Sequence, residues 1–308
     1  MSDLDPAAYV DEAGEPRPGA PLGMLLWAYA QLDPERPALT AGGETLTRAE
    51  LEAAACRRAR QLAALGVDQD DRVVVALPNG REFYETVLAA WKLGATPAHV
   101  SYRLTAPEFA ALLELGQPKL VVGLASAAAA AAALGAAFLA DGARPDPALS
   151  AEPLEPRAAA AWKISTSGGS TGRPKLVVDP NPGVWGEEKA ALRRVAGATI
   201  INPGPLYHSA PFGQMIPALC QGGHVIDMPR FDAEEWLRLV DRHRADWAYL
   251  VPTMMARIAR LPLSVRGRYD ISSIRTLVHM AAPCPEWVKA FWIEYIGADA
   301  VWEIYGGA

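Results

Sequence analysis

The strongest constraint on this chain is an alternation of short, almost wholly apolar runs with longer segments of helical period. Residues 72–77, 96–100, 120–122, 198–201, 224–227, 247–251 and 276–278 form the apolar runs, and glycine or proline punctuates many of their ends. Residues 82–93, 107–115, 232–243, 253–261 and 285–295 carry helical patterns between them. Runs apolar on both faces suit strands with helices on either side. The expected fold class is therefore α/β, with mostly parallel sheets covered by helices.

Local signals refine this reading. Residues 22–32 predict a first helix, stopped by Asp33-Pro34. Gly42-Gly43 between residues 38–40 and 44–46 predicts a hairpin. Thr47 with Glu50 forms a capping box for a helix that ends near Gly66. Asp232 is a natural N-cap. A helix is expected over 187–195, and the alanine-rich stretch within 120–139 reads as a soluble helix rather than a membrane span. Pro145, Pro147, Pro153 and Pro156 mark a surface connection. It separates an expected first α/β subdomain, residues 1–157, from a second, residues 158–308.

Composition narrows the partners. The 308 residues are 51% hydrophobic, enough for a sizeable core, and the net charge of -6 offers no chain-wide basic surface, so no nucleic-acid partner is expected. Arg57-Arg58 reads as a solvated helix face. Cys56, Cys220 and Cys284 are odd in number and far apart, which excludes a disulfide framework and suits a reduced, cytoplasmic protein. The first residues lack a signal-peptide pattern, and no stable membrane insertion is expected. A homo-oligomer is left open.

The chemistry concentrates in Thr166-Ser167-Gly168-Gly169-Ser170-Thr171-Gly172-Arg173-Pro174-Lys175. Glycines permit backbone angles closed to other residues, so successive N–H groups can line an anion nest. The hydroxyls add donors, and Lys175 adds a charge for phosphate. The run is neither the phosphate loop ending in Gly-Lys-Ser/Thr nor the dinucleotide fingerprint. On composition alone, a flexible turn and a phosphate loop are equally good readings.

Four further segments follow in order: Pro205-Leu206-Tyr207-His208-Ser209-Ala210-Pro211 with Phe212-Gly213, Tyr249-Leu250-Val251-Pro252-Thr253, His279-Met280-Ala281-Ala282-Pro283-Cys284-Pro285, and Trp302-Glu303-Ile304-Tyr305-Gly306-Gly307-Ala308. Together with the glycine-rich run they resemble the signatures of the adenylate-forming (AMP-binding) superfamily. That superfamily includes acyl-CoA synthetases, aryl-CoA ligases, luciferases and peptide-synthetase adenylation domains. The variant strings lean towards a bile-acid-CoA ligase-like or fatty-acid type.

The resemblance implies stacked, mostly parallel sheets as in the large N-terminal domain of such enzymes. It implies ATP, Mg2+ and coenzyme A, and a small-molecule carboxylic acid as partner. Thr166, Ser167, Gly168, Gly169, Ser170, Thr171, Gly172 and Lys175 would hold phosphate. Ala281, Ala282 and Pro283 would let backbone meet adenine, with Tyr305, Gly306 and Gly307 completing the nucleotide site. Tyr207, His208, Phe212, Gly213, Val251 and Thr253 would face the acyl group, with Lys175 and His208 nearest the chemistry. No metal ligand is assigned. The family pattern Tyr-Gly-x-Thr-Glu meets Ala308 at the threonine position. The magnesium glutamate and the small domain with its lysine fall outside the resemblance, which covers residues 22–308. The chain alone is therefore expected to be inactive, a truncated N-terminal part of a ligase. A non-catalytic nucleotide- or acyl-binding fragment, or a structural one, is the alternative.

Overall fold

The computed structural model describes residues 4–167 and 175–305. Its elements in chain order are α1 (Leu22–Leu32), β1 (Pro37–Ala41), β2 (Glu44–Thr47), α2 (Arg48–Ala64), β3 (Arg72–Ala76), α3 (Arg81–Lys92), β4 (Thr96–His99), α4 (Ala106–Gly116), β5 (Leu120–Gly123), α5 (Ala128–Ala133), β6 (Ala137–Ala140), β7 (Ile164–Ser167) and β8 (Lys175–Val178). They continue with β9 (Thr199–Asn202), α6 (Ser209–Cys220), β10 (His224–Asp227), α7 (Ala233–His243), β11 (Trp247–Leu250), α8 (Pro252–Ala259), α9 (Leu263–Arg266), β12 (Thr276–His279), α10 (Glu286–Ile296) and β13 (Val301–Glu303).

Among the described residues the strands form two sheets, ordered β13-β12-β11-β9-β10-β1-β2 and β6-β5-β3-β4-β7-β8. Neighbouring strands are parallel except in the hairpins β1/β2 and β7/β8. Sheet membership crosses the 157/158 boundary. β1 pairs with β10, Leu39 opposite Val225, and β7 pairs with β4, Ala98 opposite Ile164. The two halves of the chain are thus interleaved.

Each sheet is covered on both faces, which is why its strands read as apolar throughout. One core cluster joins the facing sides through α1, α3 and α6, with Leu25, Val75, Trp91, Phe212, Ile200 and Tyr249 fully or nearly fully buried. A second lies under α7, α8 and α10, with Trp236, Leu250, Leu277 and Trp292. A third lies under α4 and α5, with Val74, Leu113 and Val121.

The capping box predicted at Thr47 is present: the hydroxyl accepts from Glu50 N and the Glu50 carboxylate accepts from Thr47 N. Asp232 caps α7 through Glu235 N. Three expectations are corrected. The alanine-rich stretch is not one helix but β5, the short α5 and β6. Gly135 adopts a φ of 68° and ends α5, and β6 then pairs with β5. The helix expected over 187–195 shrinks to one turn, Glu187–Lys189. There Arg193 takes a φ of 55°, and Arg194 turns inward to donate to Gln221 Oε1, Gln214 O and Lys189 O. Arg58 is not on a solvated face. It is buried, paired with Glu82 and Glu85, and donates to Ala143 O.

Gly23 marks a close backbone approach between α1 and α3. A Cβ there would lie 2.7 Å from Trp91 O and 2.8 Å from Lys92 N, both backbone atoms that cannot swing away. Gly23→Ala is expected to lower stability by about 1–3 kcal/mol although alanine is the better helix former, because overpacking outweighs propensity. Urea denaturation checks this, and an unchanged or raised midpoint contradicts it.

Candidate functional site

Parallel pairing brings the C-terminal ends of β9, β11, β12 and β13 to one edge of the larger sheet. The crevice outside such ends is where open α/β sheets bind ligands. Each end leads into one of the segments singled out above. β9 runs into residues 203–208, β11 into Val251, β12 into Met280 and β13 into Ile304. Ala210, Val251, Met280 and Ile304 all pack against the same core cluster.

The smaller sheet meets this edge through His99, at the end of β4. His99 is fully buried. Its Nδ1 lies 3.0 Å from Tyr207 O and its Nε2 lies 3.0 Å from Ser165 Oγ. Ser165 belongs to β7, the strand that enters the glycine-rich run, and its hydroxyl is 3.3 Å from Ser209 Oγ at the start of α6. Lys163 Nζ donates to both hydroxyls, at 3.3 and 3.2 Å, and lies 3.8 Å from Asp179. Burial pushes the His99 imidazole down to about 3, against the raising effect of the Tyr207 carbonyl, so the ring is neutral. Lys163 is lowered by desolvation, opposed by Asp179.

A second node holds the same turn from below. Asn79, in the break after β3, donates to Gly204 O at 2.9 Å and Met228 O at 3.2 Å, and its carbonyl accepts from Leu206 N at 2.9 Å. Behind it lies the Asp227 carboxyl, which accepts from Tyr84 OH at 2.9 Å, Asn202 Nδ2 at 2.7 Å and Asn79 Nδ2 at 3.3 Å. Burial pushes Asp227 up to about 7 and outweighs these donors.

Thr166 and Ser167 are half-buried at the end of β7, and Lys175 is exposed directly opposite Ser167 across the hairpin. Gly168, Gly169, Ser170, Thr171 and Gly172, with Gly306 and Gly307, lie outside the described residues, as does Ala308. His208 is exposed at the N-cap of α6, its ring 4.6 Å from that of Tyr207, and partial burial lowers its pKa. Phe212 is fully buried and stacks on His99 with ring centroids 4.3 Å apart, so its ring faces the imidazole rather than open space. Gly213 and Val251 are half-buried and Thr253 is exposed. Ala281, Ala282 and Pro283 are exposed, and Ala281 holds a φ of 77°, a left-handed conformation uncommon for a residue with a side chain. Tyr305 is fully exposed.

Sequence reasoning missed His99, Asn79, Lys163 and Asp227 as parts of the site. The available signals were a histidine inside the apolar run 96–100 and a side-chain amide in the break Pro78-Asn79-Gly80. Neither names a partner until the two sheets are stacked.

The chain matches the family model described as AMP-binding enzyme over residues 26–308. It is similar to a feruloyl-CoA synthase of Amycolatopsis sp, 31% identical over 280 residues that cover 85% of this chain and 55% of that protein. It is also similar to the long-chain-fatty-acid–CoA ligase FadD13 of Mycobacterium tuberculosis, 28% identical over 287 residues, 85% of this chain and 56% of that one. Among solved structures, ATP-bound MatB from Rhodopseudomonas palustris aligns with a TM-score of 0.77 and 26% identity over 94% of this chain and 60% of that one. The chain spans about half the length of these curated relatives.

The Asp227 node yields a pH prediction. A carboxyl raised in the fold contributes stability that is present below its unfolded pKa and is lost as pH rises through the folded value. Between about pH 4 and pH 7 the wild-type chain should therefore lose stability relative to Asp227→Asn. Denaturation midpoints of the two proteins across that range check this, and parallel profiles contradict it.

Proposed function

The chain belongs to the AMP-binding enzyme family, and from that membership we propose that it carries the nucleotide and acyl surfaces of an ATP-dependent carboxylate–CoA ligase. The observation that supports this best is the 3.3 Å contact between Ser165 Oγ and Ser209 Oγ, which ties the strand entering the glycine-rich run to the turn bearing His208. The relatives' names, feruloyl-CoA synthase and long-chain-fatty-acid–CoA ligase, make an aryl or fatty acid the substrate class to test. A bile or steroid acid is the finer reading suggested by the variant strings.

In the proposed reaction a carboxylate oxygen attacks the α-phosphorus of ATP. The bond to the β-phosphate oxygen breaks, pyrophosphate leaves, and acyl-AMP forms. The sulfur of coenzyme A then attacks the acyl carbon, AMP leaves, and the thiol proton passes to solvent. Thr166 and Ser167 offer hydroxyl donors at the loop entrance, and Lys175 sets a cation opposite them to offset phosphate charge. The exposed turn at Ala281, Ala282 and Pro283 lets a base approach the backbone closely, and the exposed ring of Tyr305 offers a stacking face. His208, exposed beside the Tyr207 ring, would stand along the acid's route, with Tyr207, Gly213, Val251 and Thr253 as its further candidate lining, while Phe212 supports the turn through His99. Among the described residues no group of three metal-ligating side chains is present, and no residue of this chain is assigned to Mg2+. No helix of the described residues is long and apolar enough to cross a membrane, and action in the cytoplasm, on a small acid rather than a nucleic acid, completes the proposal.

The 308-residue chain is expected to bind ATP but to release no pyrophosphate from ATP, magnesium and a panel of fatty, aryl and bile acids. Lys175→Ala should weaken ATP binding roughly tenfold, the cost of one charge-assisted hydrogen bond. Calorimetric titration and a pyrophosphate assay check both statements. No ATP binding by the wild-type chain, or equal affinity in the variant, contradicts the assignment of the loop.

A further inference from the structure

We propose that His99 is a positioning residue: through one fixed imidazole tautomer it clamps the turn bearing His208 to the strand that enters the glycine-rich run. The clamp itself is a property of the fold, and only its meaning for catalysis rests on the ligase reading.

The tautomer follows from the partners. Tyr207 O can only accept, so the nitrogen 3.0 Å away, Nδ1, carries the proton. In a neutral ring Nε2 is then an acceptor, and the Ser165 hydroxyl must donate to it. With its proton committed, Ser165 Oγ accepts from Lys163 Nζ. Donation therefore runs one way, from Lys163 to Ser165 to His99 to the Tyr207 carbonyl. The other tautomer would leave the Tyr207 carbonyl facing a lone pair.

Geometry makes this chain of bonds stiff. His99 and Ser165 are directly opposed partners in adjacent parallel strands, so the sheet ladder fixes their separation. The Phe212 ring lies almost flat on the imidazole, at an interplanar angle of 21°, and stops it from tilting. Lys163 also bonds Ser209, so the turn is held on both sides of His208, at Tyr207 by the imidazole and at Ser209 by the ammonium. His208 itself is exposed, and no hydrogen bond from its side chain caps α6. Its position is set by its neighbours, and Ser165 lies one residue before Thr166, where the glycine-rich run begins. One rigid ring thus sets the spacing between the two surfaces.

Hydrogen exchange on the ligand-free 308-residue chain tests the clamp without reference to activity. The amides of His208, bonded to Pro205 O, and Phe212, bonded to His208 O, report on the turn. His99→Phe keeps a ring against Phe212 but removes both hydrogen bonds. These two amides should exchange about tenfold faster, the size expected when a part-buried carbonyl loses its donor, while amides of α7 and α10 keep their protection. His99→Asn places an amide N–H near the Nδ1 position and should recover part of the protection. Unchanged exchange at His208 and Phe212, equal acceleration throughout the chain, or no recovery in His99→Asn overturns the proposal. Should His99→Phe not fold, 15N spectra of the wild-type imidazole decide the matter. A protonated Nδ1 with an accepting Nε2 is expected, and a majority Nε2–H form overturns it. Failure of ATP to bind would refute the ligase reading and leave these outcomes unaffected.

Discussion

Irregular backbone can be buried between two sheets only if its carbonyls and amides find partners, and the turn after β9 depends on that condition. Pro203, Gly204 and Leu206 are buried there. A single side chain, Asn79, supplies a donor to Gly204 O and an acceptor to Leu206 N, and also reaches Met228 O. Asn202 Oδ1 accepts from Gly204 N and its amide turns to Asp227. Asn79 comes from the smaller sheet and Asn202 from the larger, so satisfying the turn also docks the sheets. Polar networks of this kind specify one arrangement because any slip leaves buried groups unpaired.

The electrostatics follow from the same burial. Desolvation keeps His99 neutral, which lets one ring nitrogen donate and the other accept. A protonated ring would present two donors and would break the direction of the bonds from Lys163. Burial likewise pushes Asp227 up to about 7, so the second node carries less charge than its residue type suggests. Two lysines stand in the same region. Lys163 is held under the start of α6, and Lys175 is exposed at the start of β8, opposite Ser167. The positive end of α6 adds to the same region. The neutral imidazole of His99 and the charged donor Lys163 thus hold the same turn together.

Much of the fold was legible because periodicity and punctuation act locally. Residues 22–32, the hairpin at Gly42-Gly43, the capping box at Thr47 and the cap at Asp232 were all read from neighbouring residues. Non-local pairing was not legible. Nothing near residues 37–41 shows that they lie beside residues 224–227 and thereby thread the start of the chain into the larger sheet. The helix expected over 187–195 gave way to inward burial of Arg194, a tertiary demand that propensity cannot report. The site divides in the same way. The segments at the strand ends carry recognisable strings, whereas His99 and Asn79 act through backbone atoms more than a hundred residues away. A lone histidine in an apolar run has no meaning until its partner carbonyl is placed.

The central claim is that the strand entering the glycine-rich run and the turn bearing His208 form one nucleotide-responsive surface. Titration of ATP into the isotope-labelled chain, followed by amide chemical shifts, tests it most directly. The account predicts that Ser165, Thr166 and Ser167 shift together with Tyr207, His208 and Ser209 along one binding curve. Shifts confined to one of these segments, or centred elsewhere on the molecule, would contradict it.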